Sequence, residues 1–217
     1  MFDRRDSAPS YDEGVIKFDA QHTSSSLELE ALGEAGAELL RWRQDLYAAQ
    51  LIGQDPRRYG GAGYGNASAR LPRGAFVITG TQTGGVAGLG PEGLCVVTDV
   101  HLSRNAVVSH GPARPSSESM THAMIYDGDP RARFVFHAHD PGIWGAALEG
   151  RLQLHVTDPK IAYGTPEMGR AILRALRDDR VRAEGVLVMG GHEDGVISFG
   201  RDAQSAAQAL LRAQAAA

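Results

Sequence analysis

Residues 134–140 read FVFHAHD, an apolar run that ends with His137 and His139 two positions apart. Side chains alternate between the two faces of a β-strand, so these imidazoles share one face, with their α-carbons roughly 7 Å apart. Rings at that spacing can lean onto one metal ion. A zinc site built on nitrogen needs at least a third protein ligand, and a catalytic one keeps a further position open for water or substrate. Two partly buried strand histidines with hydrogen-bonded rings are the alternative.

At 217 residues the chain is long enough to bury one sizeable core, and nothing in it marks a second domain. A formal net charge of -4 argues against a general affinity for nucleic acid, which rests on a basic surface. The single cysteine, Cys95, excludes an internal disulfide and fits a reducing compartment. No apolar run is long enough to cross a membrane, and the start MFDRRDSAPSYDEG lacks the apolar centre of a secretory signal. The expected location is cytoplasmic, with no membrane partner.

The polar start to about Asp12 is expected to be mobile and VIKF to add a short strand; residues 1–25 form an N-terminal extension to one domain over 26–217. Leu32, Ala35, Leu39, Trp42 and Leu46 recur at spacings of three and four, which predicts an amphipathic helix capped by Ser26 and ended by Gly53. The segment GGAGYGNASARLPRGAFVITGTQTGG predicts strands joined by tight turns, LCVVTDV a further strand, and PSSESMTHAMIYDG a loop entering a helix. Pro141 suits the first turn of a helix over PGIWGAALEG, and Thr165, Pro166 and Glu167 mark the start of another. GVLVMGGHEDGVISFG predicts two strands about a turn containing Asp194 and Gly195, and the alanine-rich end is helical. This mixture indicates an α/β sandwich with a substantial sheet.

His192, in GGHEDG, lies at a strand end before a tight turn and is the best third ligand; alone, it reads as an exposed turn histidine. Glu118, in PSSES, sits where a serine-rich loop becomes a helix. There a carboxylate complements the helix dipole, and near a metal-bound carbonyl compound it could also move a proton. His122 follows one turn later on the same face and could orient Glu118, or be an ordinary helix histidine. GYGNAS offers backbone N–H groups and the Asn66 amide, while Ser116 and Ser117 offer hydroxyls beside a helix N-terminus, where phosphate or carboxylate binds readily. Turn chemistry and capping account for each loop taken singly. GTQTGGVAGLG lacks a G-K-[ST] ending and GGAGYG is not G-x-G-x-x-G, so a nucleotide loop is not indicated. A barrel amidohydrolase would carry H-x-H near the start of a longer chain, and a cupin-like barrel would not hold this many helices.

The order of motifs resembles the class II aldolase/adducin family: G-N-x-S-x-R from Gly65 to Arg70, Ile78-Thr79, P-S-S-E from Pro115 to Glu118, H-x-x-x-Y from His122 to Tyr126, H-x-H at His137 and His139, and His192 before a turn. The resemblance spans roughly residues 30 to 212. It implies a three-layer α/β/α fold with a mixed, largely antiparallel central sheet, assembled as a homotetramer with active sites near subunit boundaries. By position, His137, His139 and His192 match the ligands of a divalent metal, zinc foremost, with Mn, Co, Fe or Ni also used. Glu118 matches the acid/base glutamate, with His122 behind it. Gly65, Asn66, Ser116 and Ser117, together with Thr79 or its neighbours, match the phosphate-holding residues.

The function so implied is a metal-dependent lyase of retro-aldol type, acting on a small, anionic hydroxy-carbonyl compound such as a sugar phosphate through a metal-stabilised enediolate. A divalent cation stabilises the charge gathering on oxygen, and burial would raise the Glu118 pKa towards neutrality. The imidazoles must be neutral to bind. Dehydratases, epimerases and decarboxylases use the same scaffold, and a non-catalytic adducin-like oligomerisation module is the alternative from a different class. Such a module need not keep the ligands, whereas all three are kept here with the glutamate. Three departures stand out. ITGTQTGG replaces the I-T-P-T/S-G common in family aldolases, the C-terminus ends without a tyrosine, and no tyrosine stands where a fuculose-phosphate-type enzyme supplies one after H-x-H. Thr157 or Asp158 falls near that place, and His155 and Asp140 are further candidates for replacement polar groups, each with a structural or solvated alternative.

Overall fold

A computed structural model describes residues 13–217, so the stretch expected to be mobile up to about Asp12 lies outside the described residues. In chain order the elements are β1 (Asp19–Ser24), α1 (Leu29–Ala48), β2 (Gly53–Gln54), β3 (Gly63–Tyr64), β4 (Asn66–Arg70), β5 (Phe76–Thr79), β6 (Leu94–His101) and β7 (Ala106–Gly111). They continue as α2 (Ser119–Gly128), β8 (Phe134–His139), α3 (Pro141–Leu148), α4 (Pro166–Ala175), α5 (Asp179–Glu184), β9 (Val186–Val188), β10 (Gly195–Gly200) and α6 (Ala203–Ala216). Eight of the described strands form one sheet in the order β1-β7-β6-β5-β4-β8-β10-β9, while β2 and β3 make a separate ribbon. The pairing of β1 with β7 is parallel and the rest of the ladder is antiparallel.

β8 is buried along its whole length between β4 and β10, and its alternation divides the core. Phe134, Phe136 and Ala138 pack with Leu39 and Leu46 of α1, Ile143 of α3 and Leu210 of α6. Val135 faces the other layer, with Met120 and Ile125 of α2, Met168 and Ile172 of α4 and Val181 of α5. Removing each of these side chains larger than alanine from water stabilises the fold by about 1.5–3 kcal/mol. The result is an α/β/α sandwich. His137 and His139 share the face of Val135, beneath α2 and α4.

Local signals explain much of this. Thr165 caps α4 by accepting from the Met168 N–H at 3.3 Å, and Pro141 opens α3. Three expectations are corrected. α1 starts at Leu29 with Glu28 at its cap position; Ser26 does not cap, because the chain leaving β1 is still extended there, with the Ser25 N–H bound to the Gly111 carbonyl. The helix ends at Ala48 and turns through Gln50 at φ 60°, so Gly53 enters β2 instead. VIKF is not a strand: the Lys17 carbonyl accepts from the Asn105 side chain, and the ladder begins at Asp19. Cys95 lies fully buried in β6, where desolvation pushes its thiol up to about 12.

Candidate metal centre

β8 sets His137 and His139 side by side, and its neighbours bring the rest. Asn66 of β4 pairs opposite His137, entered through Gly65 at φ +74°. A Cβ at Gly65 would stand 2.8 Å from the Ile52 side chain and 3.0 Å from the His137 carbonyl, so only glycine lets β4 approach. On the other side Gly195 of β10 pairs opposite His139. The turn before it carries His192, whose N–H donates to the Met189 carbonyl at 3.1 Å and whose carbonyl accepts from the Gly195 N–H at 2.9 Å.

The three rings converge. His137 Nε2 and His139 Nε2 are 3.1 Å apart, and one ligand atom from each of His137, His139 and His192 lies within 4.8 Å of the others. Two nitrogens on one tetrahedral zinc, each about 2.0–2.1 Å from it, stand about 3.3 Å apart. The Val196 carbonyl, 3.3 Å from His137 Nδ1, can accept its N–H and so leave the Nε2 lone pair for the cluster. Burial, with charge on neighbouring histidines, holds His137 and His139 well below the usual imidazole range. Neutral rings are what a cation requires. Three buried imidazoles that bring one nitrogen each to a common point are a donor set that fits a divalent ion.

Glu118 stands beside them at the N-cap position of α2, just ahead of the first turn. The Ser116 hydroxyl accepts its N–H at 3.2 Å, and its Oε1 lies 3.7 Å from His192 Nδ1. The carboxylate is almost fully buried, with the Thr121 side chain and the His192 ring beside it. Burial raises the Glu118 pKa, partly offset by the His192 charge. His122 makes no hydrogen bond to the Glu118 side chain among the described residues. Its Nδ1 shares a 2.7 Å hydrogen bond with the Ser68 hydroxyl, which bonds Tyr126 at 2.7 Å, and burial alone drives the imidazole down to about 3.

Of the anion candidates, Asn66 keeps a buried side-chain oxygen without a partner among the described residues. The Thr79 hydroxyl is engaged, accepting from the Ala67 N–H at 3.2 Å. Ser116 and Ser117 are buried before α2, and a bridge between Gly80 and Pro115 draws the loop after Thr79 to the loop before the serines. The substitutes considered after H-x-H hold backbone or meet solvent. Thr157 accepts from the Gly190 N–H at 3.0 Å, while Asp140 caps α3 through the Ile143 N–H at 2.9 Å and accepts from Gln214 at 2.8 Å. His155 and Asp158 line a separate surface groove.

Four side chains at the centre carry no sequence signal. Tyr163 stacks on His192 with ring centroids 4.3 Å apart, so a tyrosine from the segment after H-x-H does reach the cluster. Tyr59 and Tyr64 pack on His139 at 4.7 and 5.3 Å, and the Tyr59 hydroxyl donates to the Asp194 carboxylate at 2.5 Å. Glu13 places Oε2 2.8 Å from His192 Nε2 and Oε1 3.8 Å from His139 Nε2. Burial lowers the His192 pKa, but the hydrogen bond and charge of Glu13 with the charge of Glu118 outweigh it and leave the ring above its ordinary value.

The sequence profile of the Class II Aldolase and Adducin N-terminal domain matches residues 48–217. The chain belongs to the class II aldolase/adducin family. Among solved structures, this class II aldolase-family chain is similar to L-fuculose-1-phosphate aldolase from Thermus thermophilus, with 25% identity, TM-score 0.58, and coverage of 83% of this chain and 89% of that one. A sugar-phosphate aldolase from Thermotoga maritima gives 17% identity and TM-score 0.61, covering 86% and 93%. YgbL from Escherichia coli, a candidate aldolase/epimerase/decarboxylase, gives 19% identity and TM-score 0.58, covering 83% and 85%. No curated protein matches the sequence. Class II aldolases use a divalent metal, and the three buried histidines could hold one.

Proposed function

We propose that the chain is a divalent-metal-dependent lyase that breaks a carbon–carbon bond in a small hydroxy-carbonyl compound, a sugar phosphate. The observation that carries this reading is the meeting of three buried imidazoles with one buried carboxylate. His137, His139 and His192 would hold the ion, zinc being the first choice for neutral imidazoles. When bound, the ion supplies positive charge against the oxygen on which negative charge gathers as the bond breaks. Glu118 moves the proton to and from the reacting carbon or oxygen, aided by a pKa that burial lifts above the ordinary carboxylate range. The Val196 carbonyl fixes the His137 tautomer, and Tyr59, Tyr64 and Tyr163 shield the rings from water, which strengthens every charge interaction inside. Gly65, Asn66, Ser116 and Ser117, with Thr79 beside them, hold the anionic group, helped by the N-terminus of α2.

The Thermus relative's name supports a sugar-phosphate substrate. We place the protein in the cytoplasm as a homotetramer of a domain that includes β1, which joins the main sheet ahead of the boundary expected at residue 26, and a strict monomer in sedimentation would count against sites near subunit boundaries. No helix among the described residues is long and apolar enough to cross a membrane.

Zinc-loaded protein should retain the ion through gel filtration, and His137→Ala should lose it. In a screen of ketose and aldose phosphates that reads the aldehyde released, Glu118→Gln should lower kcat by about 10²–10⁴-fold while keeping the metal. Metal retained in His137→Ala, or turnover unchanged in Glu118→Gln, overturns the reading. Dehydration, epimerisation or decarboxylation by the same residues is the second reading, favoured by ITGTQTGG at the phosphate loop. Identifying the products separates the two.

A further inference from the structure

The segment before β1 enters the metal centre. The Glu13 side chain is only 10% exposed, and its two oxygens are directed at two of the three rings, 2.8 Å from His192 Nε2 and 3.8 Å from His139 Nε2. The backbone behind it is pinned. The Thr81 hydroxyl donates to the Gly14 carbonyl at 3.2 Å, and the Val15 N–H donates to the Tyr163 hydroxyl at 3.3 Å. The Lys17 ammonium lies 3.7 Å above the Tyr163 ring, and that ring stacks on His192. Gly14 turns the chain at φ +72°, and Asn105 holds Lys17 and Asp19 at the start of the edge strand. A carboxylate carried on this tether offers two adjacent oxygens to the histidine cluster, as a chelating hydroxy-carbonyl compound would.

We propose that Glu13 is a tethered carboxylate ligand of the resting metal centre, and that a chelating substrate binds by displacing it. The proposal rests on the histidine metal centre described above. Glu13 thereby adds an oxygen donor to three nitrogens and keeps the ion's open side closed until a bidentate compound arrives.

The test compares wild-type protein with Glu13→Gln, both loaded with Co(II), by competition against a metal indicator, visible absorption, and titration with acetohydroxamate, a bidentate oxygen chelator. Glu13→Gln should bind Co(II) about tenfold or more weakly, on the scale seen when a metal site loses a partner group. Its visible band should move, and acetohydroxamate should bind it more tightly than wild type. A merely structural role would weaken metal and chelator together. Thermal unfolding of the chelator-treated proteins checks the fold. Should Glu13→Gln not fold, Glu13→Asp, which keeps the charge but is one methylene shorter, is read in the same way. Equal Co(II) affinity and an unchanged spectrum, or affinities for metal and acetohydroxamate that fall in parallel, overturn the proposal while the metal centre stands. Wild-type protein that takes no Co(II), or a His137→Ala variant that binds it as well, overturns the metal centre and this proposal with it.

Discussion

A buried imidazole that resists protonation ties stability to acidity, and His122 is the clearest case. Its folded pKa lies at about 3, with burial as the cause, while the unfolded chain protonates the ring below about 6.5. Between those limits the unfolded state binds more protons. Folded stability from this group therefore falls as pH drops through that window, by up to about 1.4 kcal/mol per pH unit. In chelator-treated protein, His122→Gln should flatten the pH dependence of urea stability between about pH 6.5 and pH 5 by that slope; an equal slope in both proteins would show that the ring is charged in the fold. At this scale the sequence is informative where chemistry follows a short period. His137 and His139 share a face because a strand alternates, and that relation needs no distant contact. Glu13, Tyr59 and Tyr163 reach the same cluster from separate stretches, and nothing in their neighbours announces it.

Helix α1 shows how an element and its apolar face can be read while a buried charge within that face is missed. Of the expected stripe, Leu32, Leu39 and Leu46 are buried and Ala35 and Trp42 pack partly buried against the same core, while the buried side also takes in Gly36 and Arg43. A hydrophobic pattern passes over Arg43 because a charged residue almost never lies fully inside. Here its guanidinium donates to the carbonyls of Thr83 and Gly84 at 2.9 Å and of Ala87 at 3.2 Å, pinning the glycine-rich loop in which the chain departs from its family. Replacing Arg43 with Leu should cost about 3 kcal/mol, at roughly 1 kcal/mol for each lost bond, seen as a lower denaturation midpoint at constant slope. A shift below about 0.5 kcal/mol would mean that the loop holds itself. β1 was hidden for the opposite reason: DAQHTS is polar on both sides, as an edge strand can be, and carries no alternation to detect.

Across the molecule, Glu13 before β1, Glu118 at α2, the two β8 histidines and His192 before β10 meet only when the sheet and both helical layers are in place. An ion bound there favours the folded chain alone. At a hundredfold excess over its dissociation constant, zinc should add about 2.7 kcal/mol, or roughly 5–10 °C in the melting temperature of a chain this size. His139→Ala should show no such rise in a thermal scan, and an equal rise in both would place the ion elsewhere. The layered architecture was legible because motif order resembles that of a known family, whereas the parallel docking of β1 depends on backbone pairing that composition does not encode. The seclusion of Cys95 has a practical outcome. With the chain's sole thiol sealed in the core and its ionisation suppressed, a cysteine introduced at half-exposed Val15 would be the one accessible to a maleimide dye, and its emission would follow the Glu13 tether in real time as a chelator arrives.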